Sequence, residues 1–322
     1  DTYLHLTAET GQIDAFKAAL AEEVDINIKN HFGETIFHLA CMYSRYNIVE
    51  FILKNSNLNI DTNAKDNAGS TGFSLACQRG NLNIVKALGK ISISLGINLN
   101  IKVLRNQTPF ILACQRGHYD VVLTITEYAS TLSIDLNATT RGKTAFHMAC
   151  NEGHRDVVMI FTMKAHTLGI DLNRKDNDGN TAFHLACQTG KADVVKLLLD
   201  SAPYLRINLD IKNNNGMTAF QSACQRGQLN VVKHFIEYPS PLWWIGIDLN
   251  AIDKNGNTAF HIACKRGHSD VVKILMENAV ISSIDLNCRN NDGMTAFHWA
   301  CRRGPTRVVK IFMENAATLK ID

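Results

Sequence analysis

Thr181-Ala182-Phe183-His184-Leu185-Ala186-Cys187 returns along the chain almost unchanged. Thr144-Ala145-Phe146-His147-Met148-Ala149-Cys150 precedes it, and copies beginning at Thr258 and Thr295 follow. Looser copies begin at Thr2, Thr35, Thr71, Thr108 and Thr218. The nine threonines are separated by 33, 36, 37, 36, 37, 37, 40 and 37 residues. A period of this size means small supersecondary units, each burying its apolar face on the next.

Each unit reads in the same order. A turn comes first, as in Asp176-Asn177-Asp178-Gly179-Asn180, where Asp and Asn bond their own backbone and glycine supplies positive φ. In the fourth unit Asn106 replaces that glycine, and asparagine is the next residue to tolerate a left-handed backbone. The threonine has the place of an N-cap, and in the fourth unit Pro109 follows it as a favoured first helical residue. Glycines such as Gly153 and Gly190 then suit a helix C-terminus. A second helix follows, as in His154–Phe161, with its acidic residue in the first turn and its apolar residues at helical spacing. An extended Ile-Asp-Leu-Asn segment, as at 134–137, 170–173, 247–250 and 284–287, closes the unit.

These units resemble the ankyrin repeat over essentially the whole chain. The family's Thr-Pro-Leu-His-x-Ala stands here as Thr-Ala-Phe-His-x-Ala, and Gly-His follows the first helix at 117–118, 153–154 and 267–268. The resemblance implies an all-α solenoid of paired antiparallel helices with short β-hairpin fingers and a concave binding face. On this reading residues 1–322 form a single array. Its repeats are 1–29, 30–65, 66–102, 103–138, 139–175, 176–212, 213–252, 253–289 and 290–322. The family period is 33, so the extra residues of most units predict a longer helix or loop before Ile-Asp-Leu-Asn. The seventh unit carries an insert over 238–246 with Pro239 and Pro241, which stop its second helix, and with Trp243 and Trp244. One tryptophan is expected to pack back on the array and the other to be open to a partner. The last unit has an apolar second helix, with Val308, Val309, Ile311, Phe312 and Met313. That pattern predicts a piece of a longer array or of a larger protein.

Composition bounds the function. Net charge is +3 with 33 basic and 30 acidic residues, so bulk attraction to nucleic acid or anionic lipid is not implied and a nucleic-acid partner is disfavoured. No apolar run approaches the ~18 residues that span a bilayer, so no membrane contact is expected in this segment. The first residues hold no basic-then-apolar leader, and the chain starts at Asp1 without a methionine. Eight of nine cysteines, from Cys41 to Cys301, occupy one repeat position, and Cys288 is the ninth. Equivalent positions on neighbouring helices lie about 8–10 Å apart, beyond disulfide reach. The eight are expected to be buried, reduced fillers and Cys288 the exposed thiol, in a cytoplasmic or nuclear compartment.

His and Cys recur three apart, as at His184 and Cys187, on one helix face. Two ligands per unit are too few for zinc, so no metal is expected. The resemblance gives these histidines a structural role, bonding polar groups of the neighbouring turn. Neither a nucleophile elbow nor a phosphate-binding glycine loop occurs, so neither a cofactor nor an enzyme is expected. The ends of the first helices carry Arg79, Arg116, Arg226, Arg266 and Arg303, flanked in two units by Lys265 and Arg302. The family places this position at the rim of the concave groove. Arginine's rigid fork suits carboxylates or phosphates, while a helix C-terminus favours cations in any case. The resemblance also places Asn137, Asn173, Asn250 and Asn287 where asparaginyl hydroxylases modify ankyrin repeats.

The reading is a non-catalytic, monomeric protein–protein interaction scaffold binding an acidic, extended partner on its concave face. The alternatives are a cytoplasmic ankyrin region of a larger protein such as a membrane channel, or the substrate-recognition arm of an enzyme or effector.

Overall fold

The computed structural model describes residues 2–21, 25–238 and 246–319. The chain divides into two compact units, residues 1–140 with 163–170 and residues 141–162 with 171–322. In the first, helices alternate in pairs: α1 (Tyr3–Thr10) and α2 (Ile13–Leu20), α3 (Ile36–Met42) and α4 (Tyr46–Lys54), α5 (Gly72–Arg79) and α6 (Leu82–Ile91), α7 (Pro109–Arg116) and α8 (Tyr119–Tyr128). The second begins with α9 (Ala145–Glu152) and α10 (Arg155–Leu168), whose last turns belong to the first unit. It continues with α11 (Ala182–Gln188), α12 (Ala192–Leu205), α13 (Ala219–Arg226), α14 (Leu229–Ile236), α15 (Ala259–Arg266), α16 (Ser269–Glu277), α17 (Ala296–Arg303) and α18 (Thr306–Leu319). The fold is a helical-repeat solenoid. The fingers are tight turns with almost no strand. The amide of Asp176 donates to the Asn180 carbonyl at 2.8 Å, and that of Asn214 reaches the preceding finger's Asp178 carbonyl at 3.0 Å.

The recurring heptapeptide shows why each first helix starts where it does. Thr181 caps α11, its hydroxyl oxygen accepting the His184 amide. His184 Nδ1 accepts the Thr181 amide at 3.2 Å, closing a capping box. The ring's other nitrogen, Nε2, then donates to the Met217 carbonyl of the next repeat at 3.1 Å. The same bond joins His38 to Ser70, His147 to Asn180 and His261 to Met294. One side chain thus starts its own helix and ties down the next turn, as the family resemblance implies. In the seventh repeat Gln221 does both, accepting from the Thr218 amide and donating to the carbonyls of Ala251 and Asn257.

Phenylalanine fills the layer between first and second helices. Phe220 packs on Phe235 with ring centroids 5.0 Å apart, and Phe183 of the preceding repeat lies 5.8 Å from the same ring. Alanine and cysteine occupy the close contact between neighbouring first helices, where a larger side chain would overpack. Seven of the eight repeat cysteines are buried and unpaired. Cys301 corrects the expectation, because it is exposed while Cys288 is half-buried. Within each unit neighbouring first helices pack on one another, as α3 on α5, α5 on α7, α9 on α11, α11 on α13, α13 on α15 and α15 on α17, and Cys301 lies on α17, the last first helix among the described residues.

The long period is met in two ways. In the fifth and sixth repeats the second helix, α10 or α12, runs to 14 residues. In the third, fourth and eighth it stops after 9 or 10 and a turn takes up the rest. α12 contains Pro203, which has no N–H to offer the Leu199 carbonyl one turn back. The Tyr238 hydroxyl of the next repeat donates to that carbonyl instead, at 3.2 Å. α14 ends at Ile236, ahead of Pro239 and Pro241, which lie outside the described residues.

Candidate partner-binding surface

Three ladders of side-chain hydrogen bonds position the residues at the helix ends. The first is the capping histidine. In the second, the residue before several of the second helices donates to one of the last carbonyls of the preceding repeat's first helix. Arg45 reaches Glu9, His118 reaches Gln78 at 2.9 Å, Gln228 reaches Gln188, and His268 reaches Gln225 at 3.0 Å. These donors satisfy carbonyls that a helix end leaves open. The repeat-closing asparagine forms the third. Asn173 donates to the Arg206 carbonyl and accepts the Asn208 amide, and Asn250 does the same with Ser283 and Asp285. Asn137 donates to Gly169. Asn137, Asn173, Asn250 and Asn287, the expected hydroxylation positions, are half-buried. An enzyme attacking the first three would have to draw each out of this ladder.

In the sixth repeat the ladder position holds Asp210. Burial raises its carboxyl to about 6, against a hydrogen bond from the Asp248 backbone that lowers it. A carboxylate cannot donate as the asparagine amides do, so the proton restores the missing donor.

The ladders leave the arginines free. Arg79 and Arg116 end consecutive first helices, α5 and α7, and both are exposed. With Gln78 and His118 they line one cleft of the first unit. Arg226 and Arg266 end α13 and α15 and are exposed as well. With Gln225 and His268 they line a cleft of the second unit made of the same four residue types. None of the four arginines has a hydrogen-bond or ion-pair partner among the described residues. In each cleft the histidine ring lies across a glycine in the left-handed conformation. A methyl group on Gly80 (φ +77°) or Gly227 (φ +69°) would meet ring Nδ1 of His118 at 2.5 Å or of His268 at 2.6 Å.

The other predicted site residues divide. Lys265 and Arg302 flank Trp299, with the Lys265 Nζ 4.0 Å and the Arg302 Cζ 5.9 Å from its ring. The indole N–H of Trp299 is buried without a partner. Lys265 and Arg266 also line a groove of about 340 Å³ with Asn214, Asn215, Asn255, Asn257 and Met217. Arg303 ends α17, but its side chain, like all of Trp243 and Trp244, lies outside the described residues. Reading the sequence picked out the arginines and missed the histidines beside them as ladder donors. The signal was present in the recurrence of Arg45, Asn81, His118, Gln228 and His268 at one place, all capable of donating.

Reactive chemistry is damped at the buried titratable groups. Burial pushes the thiols of Cys77, Cys114, Cys150, Cys187 and Cys264 well up. It lowers His38, His147 and His261, and takes His184 down to about 4. Among the described residues no cluster of three or more His, Cys, Asp or Glu could hold a metal ion. Nor is any described helix long and apolar enough to cross a membrane.

A family model described as ankyrin repeats, in three copies, matches residues 4–102, 90–176, 162–242 and 240–322. No curated protein matches the chain. The matches together span nearly all of it, and the chain belongs to the ankyrin-repeat family.

Proposed function

We propose that this protein is a non-catalytic recognition scaffold that binds an acidic, extended protein segment along its concave face. Ankyrin repeats generally mediate protein–protein interaction. The observation that carries the finer reading is the pair of like clefts, each with two exposed, unpartnered arginines in register on consecutive repeats. Folding does not demand arginine there. The same helix end is Glu152 before Gly153 and Thr189 before Gly190, and both glycines keep a left-handed backbone. Stacked cations about 10 Å apart act within a Debye length and speed the approach of an anionic partner. The amides of the Asn214–Asn257 groove offer paired donors and acceptors to an extended backbone. Seven buried, unpaired thiols support a reducing, cytoplasmic or nuclear setting.

The test is a combined charge reversal, since single exposed charges contribute little. Replacing Arg226→Glu, Arg266→Glu and Arg303→Glu together weakens binding of a fluorescent Glu-rich peptide about tenfold or more by anisotropy, with the thermal midpoint nearly unchanged. Unaltered binding by the triple variant would show that the arginines are only solvated helix ends.

A further inference from the structure

Each cleft has a charge and donor count that exceed what one carboxylate uses. Two guanidinium groups face it, and the lining residues are Gln78, Arg79, Arg116 and His118 in one unit and Gln225, Arg226, Arg266 and His268 in the other. No carboxylate lines either cleft. A side-chain carboxylate has one negative charge and two oxygens, so a single arginine fork satisfies it and the second stays uncompensated. A phosphate monoester has a charge of about −1.5 to −2 at pH 7 and three free oxygens. It can take both forks at once.

We infer that each Gln-Arg/Arg-x-His cleft is a clamp for a phosphorylated side chain, and that the acidic partner is read through phosphoserine or phosphothreonine. This rests on the reading of the arginine rim as the partner-binding surface. The fold prepares the clamp in three ways. Helices α5 and α7, and likewise α13 and α15, pack as neighbours. At the usual spacing of about 8–10 Å, two long arginine side chains reach one small anion between them. Each arginine is the last residue of its helix and is followed by a glycine, Gly80, Gly117, Gly227 or Gly267, in the left-handed conformation. The chain turns away there and leaves the guanidinium open to solvent. The histidine is fixed by its bond to the Gln78 or Gln225 carbonyl. Engaged by the ring, that carbonyl is not an open acceptor beside the arginines.

The fifth and sixth repeats show what the site is not. There the helix ends carry Glu152 and Thr189, and the Thr189 hydroxyl turns back to the Leu185 and Asn151 carbonyls. Neither repeat presents an arginine at this helix end, and the sixth closes its helix with a short side chain bonded to backbone.

The full 322-residue chain is titrated with three versions of one short Gly/Ser peptide, carrying a phosphoserine, a glutamate in its place, or an unmodified serine. Binding is read by anisotropy, and the arginine Nε–H signals by NMR. The phosphoserine peptide is expected to bind at least about tenfold tighter than the glutamate peptide and to shift Arg79 with Arg116, or Arg226 with Arg266, as pairs. Exchanging Arg79→Lys and Arg226→Lys keeps the charge but removes the fork, and is expected to erase that advantage with an unchanged thermal midpoint. Equal binding of the phosphoserine and glutamate peptides, or an advantage that survives both lysine exchanges, overturns the clamp and leaves the acidic-partner reading standing. If neither charged peptide binds more tightly than the serine peptide, both readings are overturned.

Discussion

At the residue scale the asparagine ladder shows how one side chain can join two repeats, and Asp210 shows the effect of breaking it. Asn63, Asn100, Asn173 and Asn250 each donate to one carbonyl of the next repeat. All four also accept an amide there, from Asn98, Asp135, Asn208 and Asp285 in turn. Asp210 keeps the acceptor and loses the donor unless it binds a proton. Its folded pKa of about 6 lies above the ordinary 3.8. The folded state therefore binds the proton more tightly than the unfolded chain. Stability from this group is full below pH ~4 and is lost as pH rises through about 6. Asp210→Asn is expected to stabilise the protein at pH 7.5 by about 1 kcal/mol, after discounting for its half-exposed position. The gain shrinks towards zero at pH 4. Urea unfolding at the two pH values checks this, and an equal gain at both would contradict the account.

At the element scale, α12 needs help from outside to reach 14 residues. Pro203 near its end removes one helical hydrogen bond, and Tyr238 donates to the freed Leu199 carbonyl. Burial, the first cause, together with the Asp200 carboxylate keeps the Tyr238 hydroxyl protonated by raising its pKa. Tyr238→Phe removes the donor while keeping the ring. It is expected to cost about 1 kcal/mol in urea unfolding. Hydrogen exchange should rise at the end of α12 and at the end of α14 more than elsewhere. Uniform exchange across the second unit would count against this local role. The Thr-x-x-His start of the first helices was readable from the sequence because capping depends on residues three apart. The Tyr238–Leu199 bond was not, because its partners are 39 residues apart and belong to different repeats.

At the scale of the whole molecule, the capping histidines set the response to acid. His38, His147, His184 and His261 are all lowered, chiefly by burial, with His184 at about 4. The unfolded chain binds protons at these rings near pH 6.5, before the folded state does. Stability is therefore full above pH ~6.5 and falls as pH drops towards 4, opposite in sign to Asp210 and larger because several rings add. Because each ring ties one repeat to the next, protonation loosens interfaces rather than single helices. Gln221 indicates the remedy. His184→Gln is expected to retain most stability at pH 7 and to flatten part of the acid loss. His184→Leu, which leaves buried backbone groups unpaired, should cost about 1–3 kcal/mol at every pH. Melting both variants from pH 4 to 8 separates the two, and an unflattened acid profile in the Gln variant would refute the histidine account.

The sequence by itself determined the period, the capped first helices, the cysteine and alanine fill, and the arginines at the helix ends. These depend on spacings of a few residues, or on repetition of one residue type in register, and both survive in a linear string. Only the tertiary structure decided what lies across the interfaces between repeats. It showed that His118 and His268 hold the Gln78 and Gln225 carbonyls beside the arginine pairs, and that Cys301 is open while its seven counterparts are covered. It also put Lys265 and Arg302 against Trp299. Such pairings join residues about a full repeat apart. Burial and hydrogen-bond partners are properties of the stacked helices, and the neighbouring repeat supplies them.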